Sequence, residues 1–121
     1  MAADLTKSIP ALVEDFFGIY PTTLGIKDII KAASVATSNP ADTTALANAS
    51  SLVTATATVT GVAVGDIVLG YGVVSGLAAN QVIVDAYVSA TDTVTFIIGN
   101  LVNTTVTTTA VTVNVIVADV T

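Results

Sequence analysis

The chain has 121 residues, enough for one domain, with 53% hydrophobic and 10% charged residues. That balance excludes bulk disorder, which needs low hydrophobicity and high charge. A net charge of −6, with three lysines and no arginine or histidine, leaves too few cations to neutralise phosphates, so nucleic acid is not an expected partner. Cysteine is absent as well, which removes disulfides and thiol chemistry.

Mean hydropathy is positive, yet no run of about 20 apolar residues occurs, because Thr, Ser, Asn or Gly interrupts every apolar stretch. Too few strands per chain and no aromatic girdles argue against a transmembrane barrel. The start, MAADLTKSIP, reads as carrying no secretory signal.

The three prolines (Pro10, Pro21, Pro40) and the three lysines (Lys7, Lys27, Lys31) all fall in residues 1–40. Residues 9–17 can form a helical turn or two entered at Pro10. Residues 28–33 can form another, with Ile26, Ile29, Ile30 and Ala33 on one side. Neither is long enough to stand alone. Residues 34–50 read as a linker. The expectation is an extended N-terminal arm and linker over 1–50, carrying short helical pieces, followed by a β domain over 51–121.

From Ser51 onward the sequence is Val, Thr, Ala and Gly, with turn residues between short runs. Residues 53–60 alternate strictly: Val53, Ala55, Ala57 and Val59 on one face, Thr54, Thr56, Thr58 and Thr60 on the other. That period is the mark of a half-buried strand. Further strands are expected over 67–74, 81–89, 93–98 and 111–117, all rich in β-branched residues. Gly61 to Asp66 and Ser75 to Asn80 read as loops, and Ser89 to Asp92 as a hairpin turn. The fold class is mainly β, a small antiparallel β-sandwich or barrel.

Residues 43–65 and 93–118 contain no charge. Exposed uncharged strands invite edge-to-edge pairing, and soluble monomers guard them with charges. Burial against sister subunits or against a larger surface is therefore expected.

Chemistry has little to work with. Acid–base catalysis needs a histidine or a perturbed carboxylate. Asp66 and Asp92 sit in turns, where aspartate is favoured for backbone hydrogen bonding. Asp85 alternates with Val84 and Ala86, which suggests an outward position, and Asp119 reads as solvated. Without Cys or His no zinc set exists, and no calcium-loop spacing appears. Gly70-Tyr71-Gly72 lacks the rest of a dinucleotide fingerprint and reads as a bulge or a close approach. No catalytic residue, metal or cofactor is expected, and the chain reads as a non-enzyme. Phe16, Phe17, Ile19 and Tyr20, in the run FFGIY, form the most functional-looking cluster. They read either as a partner-binding anchor or as packing against the β core.

The run Val59-Thr-Gly-Val-Ala-Val-Gly-Asp66, with Ala86-Tyr-Val-Ser-Ala-Thr-Asp-Thr-Val-Thr-Phe96 after it, resembles a β module of tailed-phage virion proteins. That module occurs in head decoration (cement) proteins and in fibre-like accessory proteins. The resemblance covers residues 52–121 and carries turn and core features only. It implies a structural virion protein of the capsid surface: a homotrimer bound to the major capsid protein between capsomers, with the N-terminal arm touching the shell. A tail- or fibre-associated domain is the alternative within the same resemblance. A non-catalytic surface-binding module is another. Sugar binding would require Tyr71 and Tyr87 exposed together on one sheet face.

Overall fold

The computed structural model describes residues 25–48 and 51–121. Six strands follow one another: β1 Asp28–Ala36, β2 Leu52–Thr58, β3 Ile67–Ser75, β4 Gln81–Ala90, β5 Thr93–Asn100 and β6 Thr112–Asp119. They form two antiparallel three-stranded sheets, ordered β1-β6-β3 and β2-β5-β4. The mainly β expectation is met, and each of the five expected strands lies within a residue or two of an observed one.

One core lies between the sheets. β6 turns Val113, Val115 and Val117 into it, and β5 turns Val94, Phe96 and Ile98. Both are central strands, which explains why residues 93–118 carry no charge. Their hydrogen bonds are taken up on both sides, so the edge hazard read from that segment does not arise there. Phe96 is the largest fully buried side chain. Its cross-strand partners are Ala55 on one side and Ala86 on the other. Two small neighbours leave room for one ring, which is how a Val/Ala-rich sequence holds an aromatic at native packing density.

β1 corrects the sequence reading. Residues 28–33 were expected to be helical, but they pair antiparallel with β6. The same residues satisfy a strand, since Ile30 and Ala32 pack against the core while Ile29 and Lys31 face out. A six-residue helix cannot repay its nucleation, whereas β6 offers a full ladder. Near its end β1 shifts register between Ala32 and Val35. There Ser34 takes φ +52°, and its N–H donates to Asn114 Oδ1 at 2.8 Å. The helical piece expected over 9–17 lies outside the described residues.

Residues 37–48 are likewise built into the β domain and are not a linker. Thr37 N–H donates to Val111 O (2.8 Å), and Ser38 N–H donates to Thr56 O (2.7 Å), so this segment steps from one sheet to the other. Thr43 and Val106 exchange backbone hydrogen bonds. Beneath them Asn100, only 2% exposed, donates through Nδ2 to Thr44 O (2.8 Å) and Thr104 O (2.6 Å), while its Oδ1 accepts from Val102 N–H (3.0 Å). Gln81 Nε2 donates to Thr43 Oγ1 (3.1 Å). Thr108 Oγ1 donates to Pro40 O and Ala41 O, and Thr108 N–H donates to Asp42 Oδ1. Residues 28–48 are therefore hydrogen-bonded into the same two sheets and loops as residues 51–121.

Candidate interaction surface

The two sheets give the molecule two open sides, and the chain treats them differently. On the side of β1 and β2, Thr37 and Ser38 close the gap. Ser38 covers the free edge of β2 from both directions, its N–H on Thr56 O and its Oγ accepting from Thr56 N–H (3.0 Å). On the side of β3 and β4, the side chain of Tyr71 spans it. Tyr71 points between the sheets, meets Phe96 edge-on at 5.8 Å with rings at 90°, and donates its hydroxyl to Ile83 O at 3.2 Å.

β3 is the most exposed strand of the fold, with only Val68 and Gly70 half-buried. Tyr71 and Val73 pair with Val115 and Val113 of β6, whose side chains face the core, so they too point inward. Even so they remain 38% and 42% exposed. Among the described residues no strand pairs with the second edge of β3. No residue between Asp66 and Asp85 is charged. Edge strands of soluble proteins are normally blunted by charge, proline or cover, and here only the register shifts at Leu69 and Val74 disturb the edge. The outer surface of β3 is bare as well. A Cβ added to Gly70 or Gly72 would meet nothing within 4 Å. The two glycines accompany a bulge and an open shelf.

The second sheet has an outer face of two halves. Toward one end lie Thr56, Thr58, Thr93 and Thr95, in paired rows. Toward the other, Leu52, Gly99 and Val82 form one cross-strand row. Leu52 and Val84 lean over the glycine, each 3.1 Å from where its Cβ would stand. Both are 54% exposed. Val84 is there because β4 shifts register between Ile83 and Asp85, which turns Val84 and Asp85 both outward. A contiguous exposed apolar patch of this kind marks an interaction surface more often than a lone exposed Leu does.

The described cations sit elsewhere. Lys31 is on β1, and Lys27 precedes it with Nζ donating to Thr121 O. Asp28 and Asp119 face each other across β1 and β6 at that same end. Lys27, Asp28 and Asp119 thus lie together at the end of the first sheet where β1 and β3 both begin.

The carboxylates singled out in the sequence hold turns. Asp66 Oδ2 accepts from Ala63 N–H (2.9 Å), and its Oδ1 accepts from Val120 N–H (3.1 Å) and Thr121 Oγ1 (3.0 Å). The amide of Ala63 is the largest influence holding its pKa below the ordinary 3.8, against an opposing push from burial. Asp92, at φ +57°, accepts from Gly61 N–H (2.8 Å) and so ties the hairpin to the preceding loop. Asp85 is exposed, with Oδ1 accepting from Ala86 N–H. Among the described residues no group of three His, Cys, Asp or Glu could hold a metal ion. Tyr71 faces between the sheets whereas Tyr87 stands on the outer face of the second sheet, so the shared aromatic platform that sugar binding required is not formed. Phe16, Phe17, Ile19 and Tyr20 lie outside the described residues.

The charge scan of the sequence pointed to 43–65 and 93–118, much of which proves central or covered. The exposed uncharged strand is β3, within 67–84, which is equally free of charge. Reading lack of charge together with glycines at alternate positions would have found it. Compared with protein-family models, with curated proteins and with solved structures, the chain matches none.

Proposed function

We propose that this protein is a non-catalytic structural module, a β-sandwich that works by laying an uncharged apolar face on an assembly. In its most specific form it is a capsid decoration (cement) protein of a tailed-phage head, a homotrimer seated on the major capsid protein between capsomers. The observation that carries the reading is the outer face of the second sheet, where Leu52, Val82 and Val84 close over Gly99. Such a surface costs solubility when left bare and gains free energy when covered. The resemblance of residues 52–121 to virion β modules supplies the kind of assembly. Decoration of this type stabilises a shell by mass action, because it binds the assembled surface and not the separated subunits, and three linked copies add avidity.

The test is the solution mass of the full chain, by light scattering over a range of concentrations, with Leu52→Lys and Val84→Lys beside it. Both side chains are half-exposed, so the substitutions leave the core intact. The expected result is a trimer, together with pelleting on undecorated heads that the lysine variants lose. A monodisperse monomer at every concentration refutes the homotrimer. Unchanged pelleting of the lysine variants refutes this face as the contact.

A further inference from the structure

Four strands lie at sheet edges, β1 and β3 in the first sheet and β2 and β4 in the second. β1 carries Asp28, Lys31 and a positive-φ bulge, and Ser38 covers β2 at Thr56. β3 and β4 have no partner strand on their outer sides among the described residues. Which of their groups face out follows from the ladders. Val111 O and Asp119 O accept from Thr37 and Lys27 on the β1 side of β6. Alternation then turns the backbone of Asn114 and Ile116 toward β3, and that of their partners Gly72 and Gly70 back toward β6. The N–H and C=O of Tyr71 and Val73 therefore point outward. In the second sheet Thr56 bonds Ser38 with both its backbone groups, on the side away from β5. The same alternation leaves the groups of Ile83, Ala86 and Val88 outward on β4, and Ile83 O accepts there from the Tyr71 hydroxyl.

We propose that copies of this chain join edge to edge, β3 of one adding antiparallel to β4 of the next. The first sheet of each copy then runs on into the second sheet of its neighbour. This contact rests on the homotrimer reading and says how the copies join. A three-fold assembly needs a heterologous contact, with two different patches on each copy that fit one another. β3 and β4 are such a pair, because both open on the side that Tyr71 spans. They also run in opposite directions: β3 ends at Ser75, β4 begins at Gln81, and Tyr71 before that loop meets Ile83 after it. Rotation about an axis along the strands preserves height and direction. β3 therefore meets β4 of the next copy antiparallel, with Tyr71 and Val73 level with residues 83–86, where the outward groups of both edges can exchange hydrogen bonds.

The two edges also fit in their side chains. Tyr71 and Val73 point toward the core yet stay partly exposed, and the inward Ile83 and Ala86 of the next copy would cover them. On the outer face Gly70 and Gly72 leave open space, since a Cβ at either meets nothing within 4 Å. Tyr87, exposed on the outer face of β4, brings a ring to that space, in the way an aromatic side chain covers an edge glycine. β3 carries no charge and β4 only Asp85, so two chains of net charge −6 meet here without opposed carboxylates. The patch over Gly99 stays outside this contact and remains for the shell.

The chain has no cysteine, so paired substitutions report the contact in the full-length protein. Gly72→Cys with Asp85→Cys, or with Tyr87→Cys, puts two thiols on neighbouring outer rows of the joined sheet. Gly72 has room for a side chain, and Asp85 and Tyr87 are exposed. Within one copy the two thiols stand on the outer faces of opposite sheets, which lie about 10 Å apart, beyond the roughly 7 Å between Cα atoms that a disulfide spans. Mild oxidation should give a covalent trimer, a closed ring with no longer ladder, from at least one pair and from no single variant. A trimer by light scattering that neither pair locks overturns the contact while the homotrimer stands. A covalent ring of another number keeps the contact and refutes the homotrimer, and a monomer overturns both. A disulfide dimer from Gly72→Cys alone overturns the proposal in favour of β3 against β3. A second measurement needs no substitution. In the assembled protein the amides of Tyr71 and Val73 should exchange within about tenfold of those of Val113 and Val115 on the central strand β6. Faster exchange than that refutes the edge pairing.

Discussion

Asn100→Asp replaces an amide by a group of the same shape and so isolates the hydrogen bonding beneath residues 43–46. In the native protein Nδ2 donates to Thr44 O at 2.8 Å and Thr104 O at 2.6 Å, with Thr43 O also within reach at 3.4 Å. Aspartate offers no donor when ionised. Two bonds worth about 1 kcal/mol each are lost, and at least one backbone carbonyl is left without a partner at about 1–3 kcal/mol, so the loss is about 4 kcal/mol at neutral pH. A domain stable by about 5–15 kcal/mol would lose a large part of its margin. The assay is urea unfolding, where a slope of about 1.5 kcal/mol/M turns that loss into a midpoint fall of about 2.5 M. The pH dependence supplies an internal check. A carboxylate facing carbonyls is raised in the fold above its unfolded value of about 3.9, so the deficit is smallest below that value and widens as pH rises toward neutrality. Asn103→Asp, exposed in the same loop, is the control and should move stability by no more than about 0.5 kcal/mol. If Asn100→Asp falls within that range of its control, residues 43–46 are not held to the β domain and the account of the fold fails there.

Gly76 takes φ +93°, and a Cβ there would run into Ala110 O, so Gly76→Ala should cost about 2–4 kcal/mol by urea unfolding, well above an exposed glycine such as Gly72. Tyr71→Phe removes only the bond to Ile83 O and should cost about 0.5–1 kcal/mol, whereas Tyr71→Ala also loses the edge contact with Phe96 and should cost about 2 kcal/mol in the same assay. Asp66 is held below its ordinary value of 3.8, so its contribution is present above that pH and is lost as pH falls through the depressed folded value; Asp66→Asn should flatten that part of the acid-unfolding curve.

The strands from Leu52 onward were legible because alternation is local: each Val or Ala facing the core is separated from the next by a Thr facing water. β1 was not, because Ile26, Ile29, Ile30 and Ala33 satisfy a helical stripe as readily as Ile30 and Ala32 satisfy a strand. The decision belongs to β6, which is about 80 residues away and supplies the ladder. The polar floor around Asn100 was invisible for the same reason. Its acceptors at Thr43 and Thr44 lie more than 50 positions away, and an asparagine closing a strand reads as an ordinary turn residue. Asp66 was readable, since its partner Ala63 lies three positions away, whereas Asp92 was readable only as a turn residue, its partner Gly61 lying 31 positions before it. On the candidate surface, Leu52, Val82 and Val84 carried no signal, because alternation cannot show that a bulge at β4 and a glycine at 99 draw them together.

Taken with the topology, the position of the bulges distinguishes the two sides of the molecule. β1 carries Asp28 and Lys31 and ends in a positive-φ bulge where Ser34 N–H donates to Asn114 Oδ1, and Ser38 covers β2 at Thr56, so charge, a bulge and local cover blunt that side. β3 and β4 also carry bulges, but to a different effect. At Ile83/Asp85 the bulge adds an outward valine to the patch over Gly99, and on β3 the shifts leave Leu69 and Val74 exposed without adding a charge. Had solubility as a monomer been the governing constraint, those were the positions at which a lysine would have been cheapest. No lysine occurs after Lys31, and the apolar area grows from β3 around β4 to the outer face of the second sheet. That asymmetry sets a first edge strand, β1, that carries Asp28 and Lys31 against a second, β3, that carries no charge.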